Sequence, residues 1–152
     1  MDSPNMTSRN TESPTPENTP QNTGPSTAQA EEYLAVARRF IDALNAGDEA
    51  EVRAVYHPEA KLWHNFESGY QPVDLNVKTL HWMHRKLKNL HYDLVRLEPL
   101  SNGYLQQHVL RGNTESGEEI ALYACAICTV EDGRITALEE YLDPAQVAAL
   151  QG

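Results

Sequence analysis

The sequence predicts an α+β domain in which three amphipathic helices pack into a curved antiparallel sheet. Two observations carry this reading. Apolar residues recur at helical spacing in most of the first half and at a spacing of two beyond Tyr92. Short turns rich in Gly, Asn and Asp separate the later segments, and such short connections force neighbouring strands to run antiparallel.

From Met1 to about Ala30 the chain is Pro, Thr, Asn and Ser with no Leu, Ile, Val or aromatic residue. Such a segment cannot bury enough surface to offset ordering entropy, so residues 1–30 read as a disordered tail. Glu31 to Ala46 places Tyr33, Val36, Phe40 and Leu44 on one helical stripe, with Gly47 where a terminating glycine belongs. Asp48 caps a second short helix, Glu49 to Tyr56, which His57-Pro58 stops. Ala60 to Phe66 reads as the first strand. Val73, Val77, Leu80 and Leu87 then mark a third helix over Val73 to Leu90. Tyr92 to Leu100, Tyr104 to Arg111, Glu119 to Val130 and Arg134 to Leu142 are strands of a meander. Asp143-Pro144, a cap followed by proline at the first helical position, opens a closing helix to Leu150. The folded domain spans residues 31–150, and a curved sheet facing helices leaves a concave space.

A formal charge of −10 with no basic stripe argues against nucleic acid and anionic membrane as partners. No apolar stretch is long enough to cross a bilayer, and the first residues hold neither a basic nor an apolar leader region, so the expectation is a soluble, cytoplasmic protein. Cys125 and Cys128 lie in one apolar strand at an odd offset, which sends them to opposite faces and suits buried thiols rather than a disulfide or metal site. No metal or cofactor is expected.

The clearest site signal is Glu140. Leu138 and Leu142 flank it at period two, so its face is the buried one, and a carboxylate there must be paired, protonated or functional. Gln106 and His108 share one face of their strand, whereas Leu105 and Val109 share the other, so hydrophobicity alone would turn His108 outward. On the first strand Trp63 and Asn65 share one face and Leu62, His64 and Phe66 the other. Either Asn65 holds a water or hydroxyl, or His64 is the functional group, since a bulge would exchange the faces. His84 lies close to the inner stripe of the third helix, with His81 beside it. Tyr123, Cys125 and Ile127 form a sheet face suited to a homodimer contact.

This order of elements resembles the nuclear transport factor 2-like superfamily, whose members include the SnoaL-like polyketide cyclases, limonene epoxide hydrolase and ketosteroid isomerase. The resemblance rests on Arg39-Phe40-Ile41-Asp42-Ala43-Leu44-Asn45-Ala46-Gly47-Asp48 and on Asp132-Gly133-Arg134-Ile135 leading into Glu139-Glu140-Tyr141-Leu142-Asp143. It implies a cone-shaped α+β barrel. Relative to ketosteroid isomerase, the oxyanion-hole tyrosine falls on Phe40, the general base near His64 and the protonated aspartate on Ala126. Relative to limonene epoxide hydrolase, the water-holding tyrosine and asparagine fall on Trp63 and Asn65, the central arginine and base-side aspartate on Gln106 and His108, and the acid-side aspartate on Glu140. The resemblance therefore turns His108 into the cavity. It also implies frequent dimers.

The expected function is cofactor-independent acid–base chemistry on a hydrophobic small molecule of aromatic, terpenoid or polyketide-like kind, by a hydrolase, isomerase, cyclase or lyase reaction. His108 serves as base, Glu140 as its orienting or opposing acid, and Asn65 with Gln106 as the water-positioning pair. Trp63, His64, His84 and Phe40 complete the candidate pocket. The alternative is a non-catalytic binding or association module of the same fold. The two separate on the cavity: roughly several hundred cubic ångströms lined by both His108 and Glu140 favours chemistry, whereas filling by Trp63, Phe66 and Leu110 favours the module.

Overall fold

The computed structural model describes residues 24–151, so the tail expected over residues 1–30 lies almost wholly outside the described residues. Its end belongs to the domain instead. Ser26 Oγ accepts from the Gln29 N–H at 3.2 Å, while the Ser26 N–H donates to Gln29 Oε1 at 3.1 Å. This reciprocal cap starts α1 (Thr27–Ala46) one turn earlier than the apolar pattern indicated. Tyr33, Val36, Ala37, Phe40, Ile41, Ala43 and Leu44 form its buried stripe. Gly47 ends it in the left-handed region, at φ 65°.

Asp48 caps α2 (Glu49–Val55) through the Glu51 N–H at 3.1 Å. The chain passes directly into β1 (Tyr56–His64), so Tyr56 opens the strand rather than closing the helix. After a loop, α3 runs from Val73 to Lys86 and β2 from Lys88 to Leu100. The expected extension of α3 to Leu90 does not form. Leu87 is already extended and Asn89 takes φ 56°, so Leu87 and Leu90 keep helical spacing while feeding a strand. Then come β3 (Gly103–Asn113), β4 (Glu119–Glu131), β5 (Arg134–Leu142) and a fourth helix, α4 (Pro144–Gln151). Gly103 is required by close approach. A Cβ there would lie 1.8 Å from the Cys128 carbonyl oxygen.

The sheet order is β1-β5-β4-β3-β2, open at both edges. The meander β2 to β5 is antiparallel as expected, but β1 pairs parallel with β5, which makes the sheet mixed. The physical reason is the connection. Helix α3 and the loop before it carry the chain from β1 across the sheet to its far edge, so β1 is not bound to its sequence neighbour by a hairpin. Two apolar clusters hold the fold. One gathers α1, α2 and β1 with Tyr104, Cys128, Val130, Ile135 and Leu138. The other gathers Leu87, Leu90, Leu110, Ile120, Leu122, Ala124 and Leu150. Along β3 the inward residues run Tyr104, Gln106, His108, Leu110, so the two polar ones fall between the clusters.

Candidate functional site

The gap between the clusters is a cavity of about 490 Å³. Its floor follows from strand register. Gln106 on β3 pairs with Ala126 on β4, Ala126 with Glu140 on β5, and Glu140 with His64 on β1. In the adjoining row His108 pairs with Ala124, and Ala124 with Leu142. Each row therefore sets a polar residue of β3 and a residue of β5 on either side of an alanine. Strands lie about 4.8 Å apart, so the backbones of β3 and β5 are about 10 Å apart, with only methyl groups between them. That spacing leaves room for a ligand above the alanines.

Gln106 and His108 are 3% and 5% exposed, deeply buried for polar side chains. The Gln106 Nε2–H donates to His108 Nδ1 at 2.9 Å. The Tyr92 ring stands 5.4 Å from the imidazole, tilted by 56°. Burial lowers the His108 pKa below its usual 6.5, and the Glu140 charge pulls weakly the other way. The ring is consequently neutral at pH 7.

Glu140 lines the same cavity, partly accessible to it. Its negative charge is felt around the chamber. Burial first, and then charges that include that of Glu140, push the Tyr56 and Tyr92 hydroxyls upward. Burial likewise drives the Cys128 thiol up to about 12, with the neighbouring Tyr104 hydroxyl opposing and the Glu140 charge adding to the rise. The rest of the wall is largely apolar, with Phe40 standing edge-on to Tyr56 at 5.1 Å, and Asn76 of α3 adds a polar group whose Oδ1 accepts from the Tyr56 hydroxyl at 3.2 Å. At the mouth stand Phe66, 42% exposed, and Trp82, 40% exposed, beside Lys78 and Thr79 of α3. His64 reaches the cavity next to Glu140, its Nδ1 held by Glu67 Oε2 at 3.1 Å. Among the described residues no three His, Cys, Asp or Glu side chains gather as a metal site, and no helix is long and apolar enough to cross a membrane.

This arrangement of helices, sheet and cavity has known counterparts. Residues 37–138 match the model of the SnoaL-like domain. The chain belongs to the SnoaL-like family. Among solved structures, an epoxide hydrolase of the limonene epoxide hydrolase-like kind from M. tuberculosis is 17% identical, covers 80% of this chain and 90% of its own, and superposes with a TM-score of 0.66. A protein of Jannaschia sp. CCS1 assigned as a SnoaL-like polyketide cyclase is 12% identical over 82% of this chain and 94% of its own, with a TM-score of 0.70. A Catenulispora acidiphila protein with a ketosteroid isomerase-like fold, complexed with trimethylamine, is 9% identical over 76% and 90%, with a TM-score of 0.65. At these identities the likeness establishes the fold alone. No curated protein sequence matches the chain.

Within this SnoaL-like domain the structure brings together His108, Glu140, Gln106, His64 and Phe40 from the sequence-derived candidates. Three others stand elsewhere. Asn65 is exposed and its amide is consumed by backbone: Nδ2–H donates to the Leu142 carbonyl at 3.0 Å, and Oδ1 accepts from the Leu142 N–H at 3.1 Å. It pins β1 to β5 and has no free group for a water. The irregularity in β1 falls between Tyr56 and Lys61, upstream of the site, so Leu62 and His64 keep the inward face and Asn65 does not. Trp63 lies on the outer face, edge-on to Tyr141 at 5.3 Å, because odd residues of β1 point away from the helices. His84 packs over Gly47, its Nε2–H donating to the Leu44 carbonyl at 2.8 Å. It gives a second donor to a carbonyl at the end of α1 that already accepts from the Gly47 N–H at 3.2 Å, and it takes no part in the cavity. Sequence reasoning passed over Tyr56 and Tyr92 as site residues. In the sequence Tyr56 falls within the helical span Glu49 to Tyr56, and Tyr92 gives only the signal of an aromatic residue opening a strand.

Proposed function

We propose that this SnoaL-like domain is a cofactor-independent enzyme that moves a proton on an uncharged, largely hydrophobic small molecule, with His108 and Glu140 as the acid–base pair. The observation that carries this reading is their convergence, from different strands, on one unfilled cavity of about 490 Å³ with largely apolar walls. A side-chain-filled chamber would have spoken for an association module. Here Trp63 has left the chamber and Phe66 stands at its mouth.

The chemistry of the lining supports the assignment. His108 is neutral at pH 7, so it can exchange a proton within the physiological range. Glu140 supplies the opposite character from across the alanine floor. Tyr92 and Phe40 give flat apolar surface for an aromatic, terpenoid or polyketide-like body. Lys78 and Thr79 meet the part of the ligand nearest solvent. Ser, Cys and Lys nucleophiles are ill-suited, since Cys128 is held as a neutral thiol by its burial. Hydration of an epoxide, isomerisation, cyclisation and cofactorless lyase cleavage all use such a pair.

The test is turnover of a panel of epoxides, enones and hydroxylated aromatics by the wild type, Glu140→Gln and His108→Ala. Each substitution is expected to lower kcat about 10²- to 10⁴-fold, the usual contribution of a positioned acid or base. Full activity in both variants sinks the proposed pair. Tight binding of panel compounds with no turnover by the wild type would make the domain a ligand carrier.

A further inference from the structure

The hydrogen bond between Gln106 and His108 ties the orientation of the carboxamide to the end of the imidazole that carries its proton. A carboxamide nitrogen only donates, so His108 Nδ1 must offer its lone pair to the Gln106 Nε2–H at 2.9 Å. A neutral ring so engaged holds its hydrogen on Nε2. Among the described residues Nε2 has no hydrogen-bond partner, and it is not one of the sealed unpartnered atoms, so it opens to the cavity.

A second observation bears on the same bond. Gln106 Oε1 is sealed from solvent and has no partner. Turning the carboxamide over would place Oε1 against Nδ1–H but would seal an N–H in the vacated position. Either orientation leaves one orphan, so the orphan does not choose between them. The field in the cavity does. Glu140 is the negative centre of the chamber, and a negative potential favours an N–H dipole aimed into the cavity over a bare lone pair. The titratable groups lining the cavity are Tyr92 from β2, Cys128 from β4, Glu140 from β5, His64 and Tyr56 from β1, and at the mouth Glu67 and Lys78, the lysine 73% exposed and paired with Asp74 at 3.2 Å. None of them supplies a cation close to Nε2 that would reverse this preference.

The geometry points to Gln106 as the positioning residue that fixes His108 as its Nε2–H tautomer, making His108 the hydrogen-bond donor to a substrate oxygen and Glu140 the base of the pair. This assignment rests on the acid–base reading above and divides its roles. The substrate then carries an acceptor oxygen, as a carbonyl, ether or epoxide, toward β3 and an acidic hydrogen toward β5. The proton leaves the substrate, or a water beside it, for a Glu140 carboxylate oxygen and returns from there. His108, the acid of the pair, shares its Nε2 hydrogen with the substrate's acceptor oxygen as charge develops there and holds it again once Glu140 has returned its proton. Should His108 take up a second proton, that proton lands on Nδ1, and the Gln106 carboxamide must turn to present Oε1.

The experiment is long-range proton–nitrogen correlation NMR of the full chain with ¹⁵N-labelled histidine. The six histidines are sorted by loss of the His108 signals in His108→Ala. At pH 7.5 the wild type is expected to show His108 protonated on Nε2 with a bare Nδ1. Gln106→Glu, whose carboxylate only accepts, is expected to move the hydrogen to Nδ1 and to raise the pH at which the ring titrates. Gln106→Met, with neither donor nor acceptor, is expected to give a mixture of tautomers. A wild-type ring protonated on Nδ1, or a tautomer indifferent to both substitutions, overturns the assignment. The wild-type spectrum decides even if Gln106→Glu fails to fold. Full turnover by His108→Ala and Glu140→Gln would remove the acid–base reading while leaving the tautomer as measured, so the two ideas fail separately.

Discussion

Burying a histidine makes stability depend on pH, and His108 carries that dependence. Its ring is buried between Tyr92 and the cavity and bonded only through Nδ1, so its folded pKa lies below the unfolded value of 6.5. Between those two values the unfolded chain binds a proton that the folded chain refuses. Stability is therefore full above about pH 6.5, falls as pH drops through the lowered pKa, and levels off below it. Urea denaturation at stepped pH is expected to show this fall in the wild type and to lose this part of it in His108→Gln. An identical curve for both proteins would mean that the ring titrates freely in the folded state. The same residue shows why sequence reading reached Glu140 more surely than His108. Glu140 lies between two inward leucines, whereas His108 shares its face with Gln106 and opposes Leu105 and Val109. Val109 is indeed buried, but on the outer face, among Val95, Tyr123, Cys125 and Tyr141. A sheet with apolar groups on both faces defeats alternation as a guide to its core, and only the family resemblance turned His108 inward.

At the scale of the element, β1 determines whether the site is complete. It is an edge strand held to β5, and its last turn of register is fastened by Asn65, which gives two side-chain bonds to Leu142 and one backbone bond from its N–H to the Glu140 carbonyl at 3.1 Å. Asn65→Ala removes both side-chain bonds and is expected to cost about 1–2 kcal/mol by thermal denaturation, at about 1 kcal/mol net per hydrogen bond. Activity should fall through displacement of Glu140 and His64, and so alter KM as well as kcat. Loss of kcat alone, with no loss of stability, would restore Asn65 to a chemical role. Element order, the meander and the span of β5 were all legible, because they depend on local periodicity and turn residues. The parallel pairing of β1, the early start of α1 at Ser26 and the end of α3 at Lys86 were not. The first depends on a long-range connection, the second on a cap ahead of any apolar residue, and the third on Asn89 at positive φ, which leaves no mark in the apolar spacing. Faces at the end of β1 stay open in the sequence because a bulge leaves no sequence signature; the irregularity lies between Tyr56 and Lys61, upstream of Leu62 and His64, which keep the inward face.

For the whole molecule the decisive feature is that two apolar clusters do not meet. Met83 and Tyr92 pack against both, yet Gln106, His108 and Glu140 hold the space between them open over the alanines of β4. A protein selected only for stability would close this gap with larger side chains, and the small residue at 126 is the simplest place to do so. Ala126 is buried, lines the cavity and sits between Gln106 and Glu140 in register. Ala126→Leu adds apolar volume where there is room for it, which is expected to raise stability by about 0.5–2 kcal/mol, the usual gain from filling a cavity. Turnover or ligand binding should be abolished, because the new side chain occupies the space between Gln106 and Glu140, where the proposed donor and base meet the ligand. Cys125→Ser, on the outer face of the same strand, should change neither property by more than about 0.5 kcal/mol or twofold. Thermal denaturation alongside the substrate panel reads both effects. Greater stability with activity lost would place function in the gap between the clusters, whereas retained activity in Ala126→Leu would move it elsewhere in the fold.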